Sequence, residues 1–125
     1  MYLSDYKDAI PWFEKLMELK QKGPSSASYA QYCLAQCYFN MDDIRNALGN
    51  VKAAASTYRR LLGVTISDIQ NGRVDDTNLG SMFQLYAACF LKANQQKTGL
   101  QLLVIAARCG DEASRQFCKE SGIRF

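Results

Sequence analysis

Histidine is absent from all 125 residues, which removes the commonest general base and metal ligand. Proline occurs only twice, and Val and Ile are sparse beside plentiful Ala, Leu, Gln and Lys. That balance leans to helix and away from sheet. No apolar run approaches the ~20 residues of a membrane span, and Met1 begins no basic–apolar–small signal sequence, so no membrane partner is expected. Charge of one sign is also scarce. The 15 basic and 12 acidic residues are interspersed and leave a formal charge of +3, too little to demand nucleic acid or an anionic surface. The five cysteines, at 33, 37, 89, 109 and 118, are odd in number and lack the spacing of a disulfide framework. A reducing compartment, the cytoplasm, is the expectation. Apolar residues at 48% are ordinary for a globular chain and argue against disorder.

What is present is helical periodicity. Residues 5–22 carry Ala9, Ile10, Trp12, Phe13, Leu16, Met17 and Leu19 near a 3.6-residue period, with Ser4 or Asp5 as candidate caps. Pro11 removes a backbone bond there, so this helix either kinks or starts near Ile10. Gly23-Pro24-Ser25-Ser26 ends the segment and caps the next helix, 27–40. Asp42 or Asp43 caps a third helix, 43–62, in which Gly49 costs roughly 1 kcal/mol relative to Ala. A close helix–helix contact at Gly49 could offset that cost. Residues 63–77 are irregular, able to extend the helix or form a separate turn, with Asn71-Gly72 as a turn signal. Asp75-Asp76-Thr77 caps a fourth helix, 78–94; a fifth spans 96–109 and ends at Gly110, and a sixth spans 111–121. Short connections make neighbouring helices antiparallel.

A pattern of small and aromatic residues runs through these helices. Leu34 and Ala35 precede Tyr38, and Ala47, Val51 and Ala54 follow on the next helix. Tyr6, Ala9, Phe13 and Leu16 repeat the second half of that pattern, and Tyr86, Ala87, Phe90, Leu103 and Ala106 repeat it more loosely, with Gly99 where Ala is usual. The pattern resembles the tetratricopeptide-repeat superfamily, with excess length over its ~34-residue period at 23–26 and 63–77. The run 106–113 also resembles the joint of Sel-type repeats. The resemblance implies an all-α, right-handed stack of about six antiparallel helices in a single domain, 1–125. Its parts are an orphan half-repeat 5–22, a best repeat 27–62, an irregular connector 63–77, a divergent repeat 78–110 and a terminal helix 111–122.

The family binds extended peptides on the inner face of the first helix of each hairpin. Carried over, that face comprises Tyr29, Tyr32, Gln36, Phe39 and Asn40, then Ser81, Gln84, Ala88, Leu91 and Lys92. Tyr32 and Gln36 stand at two of the points where a carboxylate-clamping repeat needs Lys and Asn, so an aromatic, partly apolar groove is implied. The expected role is a non-catalytic protein–protein interaction module that binds a peptide or helix of a partner. The alternative is a structural or oligomerisation module, or a piece of a larger helical-repeat scaffold.

Other candidates favour packing over chemistry. Cys33 and Cys37, one turn apart, could face one metal or form a redox pair, but two ligands without His or further Cys make no structural zinc site. Cys109, near a helix end beside Arg108, is expected to be partly exposed; it is the residue on which a redox reading would rest. The pairs Asp42-Asp43 and Asp75-Asp76 read as caps. Lys52, Arg59 and Arg60 share a helix face, and Lys15 and Lys22 form a second cationic pair; both read as solvated surface. No cofactor or metal is expected. Trp12 and Phe13 look poorly covered, and Tyr2-Leu3 makes no polar cap, which predicts a homodimer through the N-terminal end or the aromatic face.

Overall fold

The computed structural model describes residues 3–18 and 24–125, with side chains from 5 to 18 and from 27 onward. These residues form seven helices and no strand: α1 (Leu3–Glu18), α2 (Pro24–Asn40), α3 (Ile44–Leu62), α4 (Ile66–Gln70), α5 (Thr77–Lys92), α6 (Gln96–Arg108) and α7 (Glu112–Glu120). The fold is an all-α, tetratricopeptide-like set of helical hairpins. The chain divides into two compact units, 1–61 and 62–125.

In the first unit α1 runs through Pro11 from Leu3, earlier than the expected start at 5 or near Ile10. Pro11 and Lys7 both face solvent, so the Lys7 carbonyl that loses its helical donor is on the wet side of the helix. The opposite face packs on α2: Ile10, Leu34 and Cys37 are buried, with Tyr6, Ala9, Phe13, Met17, Tyr38 and Met41 around them. The expected continuation to 22, with Leu19 and Lys22, lies outside the described residues, as does Tyr2. The helix α2 begins at Pro24 rather than 27, because proline presets φ and has no N–H to satisfy at a first helical position. Asp42 turns the chain with φ 63°, and Asp43 then caps α3, its Oδ1 accepting from Asn46 N at 3.4 Å. Ala47, Val51, Ala54 and Ala55 form the buried face of α3. The expected close contact at Gly49 is absent: this glycine is exposed, and a Cβ there would meet nothing within 4 Å.

In the second unit the connector contains a helix, which makes seven helices where about six were expected. Thr65 and Asp68 close a reciprocal capping box, at 3.1 Å from Asp68 N to Thr65 Oγ1 and 3.0 Å from Thr65 N to Asp68 Oδ2. Ile69 on α4 and Val74 after it are buried. The Asp76 side chain caps α5 through Leu79 N at 3.0 Å, and the Asp111 side chain caps α7 through Ser114 N at 3.0 Å. The core of this unit joins Ala87, Leu103, Ala107 and Cys118, with Leu91, Leu102, Val104 and Ile123 against it. Gly99 sits at the α5–α6 seam, where an added Cβ would come within 2.7 Å of Leu91 Cγ and Cδ2 and 3.2 Å of the Ala87 carbonyl. Glycine therefore sets how closely these two helices approach.

Candidate functional site

The sequence-predicted face on α2 is assembled by one helix at spacings of three and four residues. Tyr29 is 57% exposed, and its ring lies 6.3 Å from that of Tyr32 at 50°. One turn on, Gln36 Nε2 donates to Tyr32 Oη at 3.1 Å, and Asn40 Nδ2 donates to the Gln36 carbonyl at 2.8 Å. Phe39 is half-buried beside this stripe. Two rings followed by two amides thus run along α2, with Gln36 and Asn40 open to solvent. The Tyr29 phenol is pushed above its ordinary pKa by Cys33, through its charge and a hydrogen bond. It stays a neutral donor and acceptor near neutrality.

The predicted residues of the second unit lie on α5 in the same order. Ser81, Gln84 and Ala88 are half-buried and Lys92 is exposed. Leu91 behaves differently, because its side chain packs on the Ala87–Leu103 core and fills the space over Gly99. The rings of α5 stack along the helix, Phe83 with Tyr86 at 6.4 Å and Tyr86 with Phe90 at 5.5 Å. Phe83 is buried, and burial raises the Tyr86 pKa.

Sequence reasoning missed a polar ladder in the first unit. Asn46 Nδ2 donates to Asp43 Oδ2 at 2.7 Å, Asn50 Nδ2 to the Asn46 carbonyl at 2.8 Å, and Gln31 Nε2 to Asn50 Oδ1 at 3.5 Å. The last bond ties α2 to α3 beside a cleft of about 540 Å³ lined by Glu14, Met17, Glu18, Leu34, Tyr38 and Asn50. The signal within α3 was legible as Asp43, Asn46 and Asn50 at spacings of three and four. The partner on α2 was not.

The thiols do not form a reactive centre. Cys109 is fully buried, against the expectation of partial exposure. The backbone folds over it, with Asp76 N donating to the Cys109 carbonyl at 2.8 Å. Burial, with the Asp76 and Asp111 charges, pushes its pKa up to about 12, the reverse of what a nucleophile requires. Cys37 and Cys118 are buried in the two cores, and Cys33 is half-buried and raised by desolvation. Among the described residues no three His, Cys, Asp or Glu side chains could hold a metal ion, and no helix is long and apolar enough to cross a membrane. The cation face of α3 is solvated at Lys52 and Arg60.

Helical hairpins with small residues at their seams and a first-helix face left open define a tetratricopeptide-type interaction or scaffold module, a class that is generally non-catalytic and binds protein partners. The chain belongs to the family described as anaphase-promoting complex, cyclosome, subunit 3, whose sequence model matches residues 3–71, from α1 through α4. No curated protein matches the chain, and no solved structure does. The run 106–113, where a Sel-type joint was expected, lies beyond the matched segment.

Proposed function

We propose that the α2 face formed by Tyr29, Tyr32, Gln36, Phe39 and Asn40 docks a peptide or helical segment of a protein partner. The observation that carries this reading is the exposed Tyr29 ring tilted against the half-buried Tyr32 ring, followed by the exposed amides of Gln36 and Asn40. Tyrosine presents apolar area with little rotamer freedom to lose, and is enriched where interfaces concentrate their energy. The amides supply donors and acceptors that can pair with an extended backbone. A scaffold role agrees with a family named for a subunit of a complex. The test is affinity capture with wild type and Tyr29→Ala/Tyr32→Ala baits of equal thermal stability. A partner retained by the first and lost by the second supports the reading. Equal capture by both overturns it.

A second reading rests on Trp12, which is 59% exposed on α1 and sets its ring edge-on to Phe13 at 5.1 Å. In it, two copies associate through the aromatic end of α1. Light scattering across a dilution series separates the readings, because a Trp12-dependent dimer loses mass on dilution and with Trp12→Ala.

A further inference from the structure

Two adjoining clefts in the second unit share Gln70 and Arg108 as lining residues, with volumes of about 590 and 510 Å³. They run from Val104 on α6, past Arg108, to Arg115 on α7 and Phe125. Each arginine is tethered by a backbone carbonyl. Arg108 Nη1 donates to Gln70 O, and Arg115 Nε donates to Ala107 O at 2.9 Å. Arg108 Nε is buried with no hydrogen-bond partner, and no carboxylate pairs with either guanidinium among the described residues. A guanidinium held by one carbonyl is fixed in orientation and keeps its remaining Nη–H donors for a carboxylate. Asp75 lines the same cleft without an ion pair to either arginine. Two cations against one anion favour a ligand group with a single negative charge and work against a polyanion. Val74 and Phe125 line the arginine cleft and Val104 its neighbour.

We infer that this α4–α6–α7 cleft is a second docking site, separate from the α2 face, that takes an acidic side chain flanked by apolar residues from a protein partner. The carboxylate meets the free edges of Arg108 and Arg115, and the flanking apolar groups meet Val74, Val104 and Phe125.

The test is a titration of the full chain, followed by backbone and arginine Nε–H resonances. The probes are acetyl-Leu-Glu-Phe-amide, its neutral isostere acetyl-Leu-Gln-Phe-amide, and inorganic phosphate. The acidic peptide should shift the Arg108 and Arg115 signals and bind at least about tenfold more tightly than the isostere, as charge-assisted pairing predicts. Arg115→Gln should abolish that preference, and Asp75→Asn, which removes the competing charge without changing shape, should tighten the acidic peptide about two- to threefold. If Arg115→Gln does not fold, the Asp75→Asn result decides. Equal binding of the two peptides, or no effect of Asp75→Asn, overturns the inference. So does phosphate matching the acidic peptide at the same resonances, which would make this a general anion site.

Discussion

On α2 of the first unit, the stripe 29–32–36 carries an exposed ring, a half-buried ring and an exposed amide, whereas on α5 of the second unit the rings of Phe83, Tyr86 and Phe90 stack along a helix that is buried on most sides. Both helices occupy the same place in their repeats, with Ala35 corresponding to Ala87. At one corresponding position the two units also differ by a single methyl group. Ala47, fully buried on α3, corresponds to Gly99 on α6. Where the methyl is missing, Leu91 moves over the glycine and becomes core. A residue at the family's binding position is thereby converted to packing. On the proposed reading the first unit keeps its stripe for a partner, whereas in the second Leu91 belongs to the core.

The largest expected effect follows from the thiols, which differ in the same sense between the units. In the second unit burial pushes Cys89 up to about 11 and Cys109 to about 12, from an ordinary 9.0. The thiols of the first unit, Cys33 and Cys37, are raised by burial too, but Cys33 is half-exposed. A thiol whose pKa is higher folded than unfolded contributes its full stability below about 9, where both states hold the proton. Above that, the unfolded chain releases protons that the folded chain keeps, so stability falls as pH rises toward 11 and 12. Denaturation midpoints measured from pH 8 to 11 should fall steadily, and Cys109→Ala should flatten the slope. A slope unchanged by Cys109→Ala would contradict a buried protonated thiol there. A thiol reagent at pH 8 should label Cys33 first and leave Cys109 unlabelled in the native state.

Next in size is Gly99→Ala. Alanine is the better helix former by about 1 kcal/mol, but the new methyl would sit 2.7 Å from Leu91 carbons and 3.2 Å from the Ala87 carbonyl. Overpacking of this kind costs about 1–3 kcal/mol, so a net loss of about 1 kcal/mol is expected by chemical denaturation. The sharper readout is Leu91. Its methyl resonances should lose their core environment as the side chain is displaced, making α5 resemble α2. If Gly99→Ala is stabilising and Leu91 stays in place, the one-methyl account of the two units fails.

Much of this was legible in the sequence because its causes are local. Asp43, Asp76 and Asp111 marked helix starts, since an aspartate cap needs only the N–H groups two or three residues on. The choice of the α2 face came from the tetratricopeptide resemblance, and helical spacing accounts only for its residues lying along one helix. The five-residue α4 was not, because it is too short to show a period. Its only signal was Thr65-x-x-Asp68, with Asp in the place of the usual Glu. Burial of Cys109 was hidden because the strand of chain that covers it, at Asp76, is distant in sequence. The amide ladder stopped at Asn50 for the same reason, its partner Gln31 lying on another helix. Arg108 stood out in the sequence only as the neighbour of Cys109, and Arg115 not at all, since their tethers to the Gln70 and Ala107 carbonyls are tertiary.

The smallest expected effect has the opposite sign and completes the comparison. Gly49 and Gly99 are both glycines within helices, in α3 and in the first turn of α6. Gly49 is exposed, and an added Cβ meets nothing. Gly49→Ala should therefore stabilise by about 0.5–1 kcal/mol, through reduced freedom of the unfolded chain and better helix propensity. It touches neither the buried face of α3 nor the α2 stripe, so Leu91 resonances and partner capture should stay as in wild type. A double variant, Gly49→Ala with Gly99→Ala, should show the sum of the two single effects, because the substitutions share no neighbour. Destabilisation by Gly49→Ala would mean that the exposed side of α3 is covered in solution, and attention would then pass from α2 to α3 as the contact surface.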